Sequence, residues 1–271
     1  MRIRAISWNL FHGRDAPPER ELLSWRSRLL RISERGETHV QVNRDLYAEF
    51  ADLLARAEWD VALLQECPPR WSDRLAADCG AAAHRVLTSR NSLAPLRQLV
   101  ARLNPDLIAS GEGGSNTTLV RPAVGRIVER RDLELTLRPE RRALAFCRLD
   151  SGLCIANLHA TNDRPPLAAE ELRSAAATAV RWAGSAPLLL GGDLNLRPAH
   201  AAVFGELARR YSFSEPAIAT GIDHLLGRGL EVVEPEHAWP PARRETRERG
   251  LALRLSDHAP VEALFETAVS G

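Results

Sequence analysis

Residues 187–195 read PLLLGGDLN. Leu188, Leu189 and Leu190 form a short apolar run, the pattern of a buried strand. Gly191 and Gly192 end it, and with no side chain they permit a tight turn and close backbone approach. Asp193 and Asn195 follow, two residues apart. On an extended chain that spacing points both side chains to one side. A polar pair at the tip of a buried strand is held by a rigid element, which suits chemistry. The same residues equally fit a helix cap ahead of Pro198 or a simple turn. The rest of the chain decides between these readings.

Outward from this stretch the layout recurs. Residues 2–9, RIRAISWN, set Ile3, Ala5 and Ser7 against Arg2, Arg4 and Ile6, a strand with one wetter face that ends at Asn9. After the loop LFHGRDAPP, Leu22, Leu23, Trp25, Leu29 and Leu30 fall at helical spacing. A second helix is expected over about 43–58, burying Leu46, Phe50, Leu53 and Leu54. DVALLQE, 60–66, reads as a buried strand that stops at Glu66. A short helix (70–78) and a strand (84–88) follow. Residues 92–115 read as an insertion, with a short helix near Pro95–Leu103 and then GEGGS, the candidate for a mobile, specificity-setting loop.

From Asn116 to Leu158 the pattern is strand throughout, an antiparallel meander with a turn at Asp150-Ser151-Gly152. An alanine-rich helix (167–183) leads back to PLLLGGDLN. A helix at 198–209, GIDHLLGRG, EVVEP, an arginine-rich loop (240–250) and a last strand, HAPVEALFE, complete the chain. Mixed strands and helices with long antiparallel runs predict helices packed outside two face-to-face sheets. No Ser/Gly/Pro linker divides the 271 residues, so one domain, 1–271, is expected.

Composition narrows the chemistry. Net charge is +1, so a polyanion would have to be met by a local basic patch. All 36 basic residues are arginine. A lysine nucleophile, a Schiff base and a P-loop lysine are therefore excluded, and phosphate contacts fall to arginine. The four cysteines, Cys67, Cys79, Cys147 and Cys154, form no CxxC pair, which argues against a thiolate zinc site. In a two-residue hairpin Cys154 would face Leu149 and not Cys147, so no disulfide is expected there. No apolar run reaches spanning length, and a cytoplasmic location without stable membrane insertion is expected.

Chemically versatile residues lie where apolar runs begin or end. They are Asn9, Glu66, His159, Asp193 with Asn195, Asp223, and Asp257-His258. Each has a plain account as turn, cap or surface pair. Carboxylates and histidines are costly to bury unpaired, however, so strand ends rarely collect them without partners. Strands side by side in two sheets would bring these tips to one rim. Asn9, Glu66 and Asp257 are hard oxygen donors, which suit magnesium. The two histidines can move protons near neutrality, and Asp223 can orient the imidazole of His258. Metal, base and acid together suit in-line displacement at phosphorus.

The chain resembles the endonuclease/exonuclease/phosphatase superfamily, the deoxyribonuclease I-like fold. The matching stretches are SWN (7–9), LLQE (63–66), SNTTLVR (115–121), RRAL (141–144), NLH (157–159), GGDLN (191–195), GIDHLL (221–226) and SDHAPV (256–261), in the family's order. The resemblance implies an α+β, four-layer α/β/β/α sandwich of two mixed, mainly antiparallel sheets, with Mg²⁺ or Mn²⁺ as cofactor. By the same carry-over Glu66 is the main metal ligand, with Asn9 and Asp257 near it. His258 activates water or stabilises the phosphoryl oxygen, with Asp223 as its partner. Asp193 and Asn195 orient nucleophile and phosphate. His159 matches branches that use a second histidine as general acid. Asn116 and Arg142, or Arg141 in its place, would bind the substrate phosphate.

The chain also departs from the pattern. The small-apolar pair usual after Asn116 is missing, and His224 stands where an aromatic is common, which leaves its role open. The expected activity is a metal-dependent phosphodiester hydrolase, foremost a nuclease acting on DNA or RNA as a monomer. The alternatives are a phosphatase or phospholipid phosphodiesterase on the same site, or, less favoured, a non-catalytic binding module. The 240–250 loop reads either as a solvated charged loop or as a phosphate-tracking patch.

Overall fold

A computed structural model describes residues 1–22, 24–89, 94–108 and 113–267. The first part of the chain forms β1 (Arg2–Asn9), α1 (Trp25–Leu30), β2 (Glu34–Arg35), β3 (Val40–Gln41), α2 (Tyr47–Arg56) and β4 (Val61–Cys67). Next come α3 (Ser72–Asp78), β5 (Ala82–Thr88), α4 (Ala94–Leu103), α5 (Pro105–Ile108), β6 (Gly114–Val120), β7 (Ile127–Thr136), β8 (Arg142–Leu149) and β9 (Cys154–His159). The last part holds α6 (Pro165–Ala183), β10 (Leu188–Asp193), α7 (Val203–Tyr211), β11 (Asp223–Arg228), β12 (Leu230–Ala238), β13 (Glu245–Glu248), β14 (Leu251–Arg254) and β15 (Val261–Thr267).

One sheet runs β12-β15-β1-β4-β6-β5 and the other β11-β10-β9-β8-β7. Both are mixed and mainly antiparallel, with β1 parallel to β4 and β9 parallel to β10. Their facing sides share a dry core in which Ile3, Ala5 and Leu63 of the first sheet meet Ile155, Leu189 and Leu225 of the second. On the outer side of the first sheet, Ile6, Trp8 and Leu64 pack against Phe50 and Leu54 of α2 and Leu75 of α3. On the outer side of the second, Phe146, Ala156 and Leu190 pack against Leu172 and Ala176 of α6 and Leu207 of α7. The expected four layers are these: helices, sheet, sheet, helices.

Five local readings change. β1 has no wet face beyond Arg4, because Ile6 and Trp8 are buried under α2. β6 leaves the meander for the first sheet, between β4 and β5, so the meander is β7-β8-β9. Cys154 pairs with Arg148 across a longer turn, and all four thiols are free and buried. The fourth change is in the helix ahead of β2, which is only six residues long. Trp25, Leu29 and Leu30 in it are exposed where burial was expected, while Leu23 lies outside the described residues. Of the 92–115 segment, residues 92, 93 and 109–112, which include the start of GEGGS, lie outside the described residues.

The last change concerns Gly191 and Gly192, which do not turn the chain. β10 runs through them to Asp193. A Cβ on Gly191 would sit 2.6 Å from the His224 carbonyl oxygen. One on Gly192, at φ +137°, would sit 1.8 Å from that of Leu158. The glycines let β10 press against both neighbours. Register then sets Asp193 beside His159 on β9 and beside Asp223 on β11. Because parallel strands end at the same edge, β1 and β4 deliver Asn9 and Glu66 to one rim, and β9 and β10 deliver His159 and Asp193 to it.

Candidate active site

At that rim a cleft of about 420 Å³ opens between the sheets. Asn9, Glu66, Arg142, His159, Asp193, Asn195, Asp257 and His258 all line it. Asp223 stands behind His258, where its Oδ2 meets Nδ1 at 2.7 Å. The Nε2 of His258 faces Asp193 Oδ2 at 3.9 Å, and the Nε2 of His159 faces the same oxygen at 3.4 Å. Asn9 Nδ2 donates to it at 3.0 Å. Asn195, at φ 51°, donates its backbone N–H to Asp193 Oδ1 and its Nδ2 to the Ala160 carbonyl. The pair thus meets through a local turn and not through strand alternation. Asn116, and Arg141 as the alternative to Arg142, do not line the cleft, and Asp223 reaches it through His258. Asn116 is buried in β6, and its Nδ2 donates to the Ala143 carbonyl at 2.8 Å.

Charge is unevenly shared here. Burial opposes the charge on His258, but the Asp223 carboxylate overcomes it and lifts the pKa to about 10. Burial, with Asp223 and Glu66 nearby, lifts Asp193 to about 7. Burial, with Arg142 and His258 adding to it, holds His159 well below the usual histidine range. His258 is therefore an imidazolium at neutral pH and His159 a neutral ring. Nε2 of His159 faces two carboxylates, which favours the tautomer that carries the hydrogen on Nε2.

The donor set fits a divalent cation. Burial raises the Asp257 pKa and Glu66 raises it further, the signature of carboxylates short of positive charge. Glu66 reaches the cleft from a bulge in β4 at φ 47°. Asp193, Asp223 and His258 also bring ligand atoms within 4.8 Å of one another. Those atoms are engaged with each other and with Asn9, whereas Glu66, though its Oε2 meets His12, and Asp257 both line the cleft and are the better-placed oxygens. Asn9 Oδ1 accepts the Phe11 N–H at 2.9 Å.

The sequence reading missed several residues. His12, in the loop after β1, is buried with its Nε2 3.1 Å from Glu66 Oε2. Its turn depends on Gly13 at φ +75°, where a Cβ would lie 2.2 Å from the Trp71 ring. The available signal was a histidine-glycine pair three residues past Asn9. Ser256 pins the Asp257-His258 turn: its Oγ donates to the Asn9 carbonyl at 2.6 Å and accepts the His258 N–H at 3.0 Å. Beneath the cleft Gln65 Nε2 donates to Asn157 Oδ1 at 2.8 Å, tying the two sheets together.

His224 finds its role in the core. Its Nδ1 pairs with buried Glu236 at 2.8 Å, and its ring packs on Phe204. The arginine-rich loop is a 3₁₀ turn and a hairpin whose cations meet partners both inside and outside the loop. Arg243 pairs with Glu262, Arg244 donates to the Ser256 carbonyl, and Arg249 pairs with Glu248. Arg141 pairs with Glu134. Arg142 pairs with Glu140 at 3.0 Å, while its Nε is buried without a partner.

Residues 6–258 match the family described as Endonuclease/Exonuclease/phosphatase family. Comparison with curated protein sequences gives no match. Among solved structures, a family protein from Bacteroides thetaiotaomicron is 16% identical, with TM-score 0.65 and 99% of each chain covered. A mannosyl-6-phosphatase of Bacteroides thetaiotaomicron is 15% identical, with TM-score 0.60, 97% of this chain and 99% of that one. The human Nocturnin catalytic domain with a bound sulfate anion is 14% identical, with TM-score 0.62, 98% of this chain and 94% of that one. At such identities the structures speak for the fold alone. The family match carries further, to hydrolysis of phosphoester bonds, and by it the chain belongs to the endonuclease/exonuclease/phosphatase family.

Proposed function

We propose that this chain is a divalent-metal-dependent phosphodiesterase that cleaves by in-line attack of water. The observation that carries this reading is the meeting of a His258–Asp223 pair, a second buried histidine and surplus carboxylate in one cleft. Bound Mg²⁺ or Mn²⁺ would supply charge to the non-bridging oxygens, and Glu66 and Asp257 would hold it beside Asn9. Asp193, its carboxyl near 7, takes a proton from the attacking water, with Asn195 fixing its direction. His258, held charged by Asp223, donates to a phosphoryl oxygen. Arg142 gives the phosphate a further cation. Burial, and after it Arg142 and His258, keeps a proton off His159, and the negative charge of an entering phosphate opposes both effects. The ring can then be protonated and donate to the leaving oxygen, which an alkoxide of a diester needs.

A nucleic acid is one such diester, but long polyanions are held by rows of cations. Of Arg141, Arg142 and the arginines of the 240–250 loop, only Arg142 lines the cleft, and a compact diester suits it better. The test is initial rates on bis(4-nitrophenyl) phosphate, 4-nitrophenyl phosphate and plasmid DNA, each with Mg²⁺, Mn²⁺ or chelator. The expected result is metal-dependent turnover of the small diester, exceeding the monoester by about tenfold or more. A monoester preference would make it a phosphatase, and plasmid cleavage outpacing the small diester would restore the nuclease. No turnover of any of them rejects the proposal.

A further inference from the structure

Helix α1 turns its apolar side outward. Ser27 is its buried residue, and at roughly 100° per residue Trp25 and Leu29 lie opposite it. They are 63% and 61% exposed, with Leu30 at 60% alongside. Arg26 and Arg28 flank the stripe on its two sides. Helix α4 repeats the arrangement: Ala101 is buried, and Leu96, Leu99 and Leu103 are exposed on the far side, with Arg102 at the flank. α5, which packs against both α1 and α4, exposes Leu107 as well. Large apolar side chains exposed singly are ordinary, but a grouped set marks an interaction surface.

The face is firmly built from beneath. Ser27 Oγ donates to Asp106 Oδ2 at 2.8 Å, Asn104 Nδ2 to the Arg28 carbonyl at 2.8 Å, and Asn43 Nδ2 to Asn104 Oδ1 at 2.6 Å. Chain positions on either side of α4 and α5 lie at the cleft. Ser89, five residues before α4, lines the cleft. At the other end an ideal Cβ on Gly114 lies 3.5 Å from the Glu66 Cα. Arg14, stacked 3.9 Å from the ring centroid of the cleft residue Phe11, feels Arg28 and Asp106 as well as Glu66 and Asp257.

Charge identifies what covers this face. Residues 25–32 and 94–108 hold Arg26, Arg28, Arg31, Arg97 and Arg102. Their one acid, Asp106, points inward to Ser27 and Gln41. That is a local cationic excess in a chain of net charge +1. Outward leucines and tryptophan with arginines beside them match a lipid interface: the apolar groups enter the acyl boundary and the guanidinium groups reach anionic headgroups. No helix among the described residues is long and apolar enough to cross a membrane. We propose that the outer face of α1, α4 and α5 docks this protein reversibly on an anionic phospholipid bilayer.

Co-sedimentation with vesicles tests this, with chelator present so that turnover plays no part. The vesicles are phosphatidylcholine alone, or an equal mixture with phosphatidylglycerol. The protein should sediment with the mixed vesicles, bind neutral ones about tenfold less or weaker still, and be released by salt. Trp25→Ser with Leu99→Ser, and separately Arg26→Glu with Arg102→Glu, should each lower binding about tenfold or more while leaving the circular dichroism and Tm unchanged, since all four side chains are exposed. No binding to either vesicle, equal binding to both, or unaltered binding by both double variants overturns the proposal. So does a wild-type dimer in sedimentation velocity that the serine pair converts to monomer, because a second copy would then cover the face.

Discussion

His258 can orient a phosphoryl oxygen at neutral pH only if it keeps its proton, and Asp223 is the residue that makes it do so. A histidine raised from 6.5 to about 10 adds stability that is fully present below 6.5 and is lost as pH rises through 10. Asp223→Asn removes the charge and keeps the shape. In metal-free protein the His258 resonance, followed by NMR, should then titrate well below 10, and kcat should fall about tenfold or more with KM little changed. A kcat within twofold of wild type would mean that the pair is structural.

Asp15 is a second buried acid with a readable sign. It accepts the Val42 N–H at 3.0 Å, its other oxygen has no partner, and burial pushes its pKa from 3.8 up to about 8. Between those values the unfolded chain releases a proton that the folded chain keeps. Stability therefore falls as pH rises from 3.8 to 8 and levels off above. Asp15→Asn retains an acceptor for Val42 and removes this loss. Urea unfolding should show the variant gaining on wild type steadily across that window; a constant difference at every pH would contradict it.

At the level of elements, the close approach of β10 to its neighbours is what lines up Asp193 with His159 and Asp223. Gly192→Ala sets a methyl 1.8 Å from a backbone carbonyl at a φ that alanine resists. It should cost about 3 kcal/mol or more in chemical denaturation, or prevent folding; a loss below 1 kcal/mol would show that the strands can part. The glycine pair was visible in the sequence as a demand for closeness, but the turn inferred from it was not there. Periodicity named the elements well because it is local: α2 buries Phe50 and Leu54 as expected. Periodicity defines a face, though, and not what the face meets. Nothing in WRSRLL says that Trp25 and Leu29 point to solvent. Likewise Ile6 and Trp8 look wet or dry only once α2 is known to cover them, and β6 joins its sheet through pairing with distant β4 and β5.

For the whole molecule, the rim was legible because polar residues at strand tips are rare and because parallel pairs must finish at the same edge. Asn9, Glu66, His159, Asp193, Asp223, Asp257 and His258 converge for that reason. His12 was not legible, since a lone loop histidine carries no pattern until the fold sets it against Glu66. Nor was the fate of Arg243 and Arg244 in the 240–250 loop, whose partners Glu262 and Ser256 lie outside it. The central claim is that this rim holds one divalent ion and one phosphorus atom through Glu66. Mn²⁺ titration by calorimetry, paired with turnover of bis(4-nitrophenyl) phosphate, tests it in wild type and Glu66→Gln. The prediction is a loss of about tenfold or more in Mn²⁺ affinity together with a kcat reduced a hundredfold or thereabouts; unchanged affinity and unchanged turnover would contradict it.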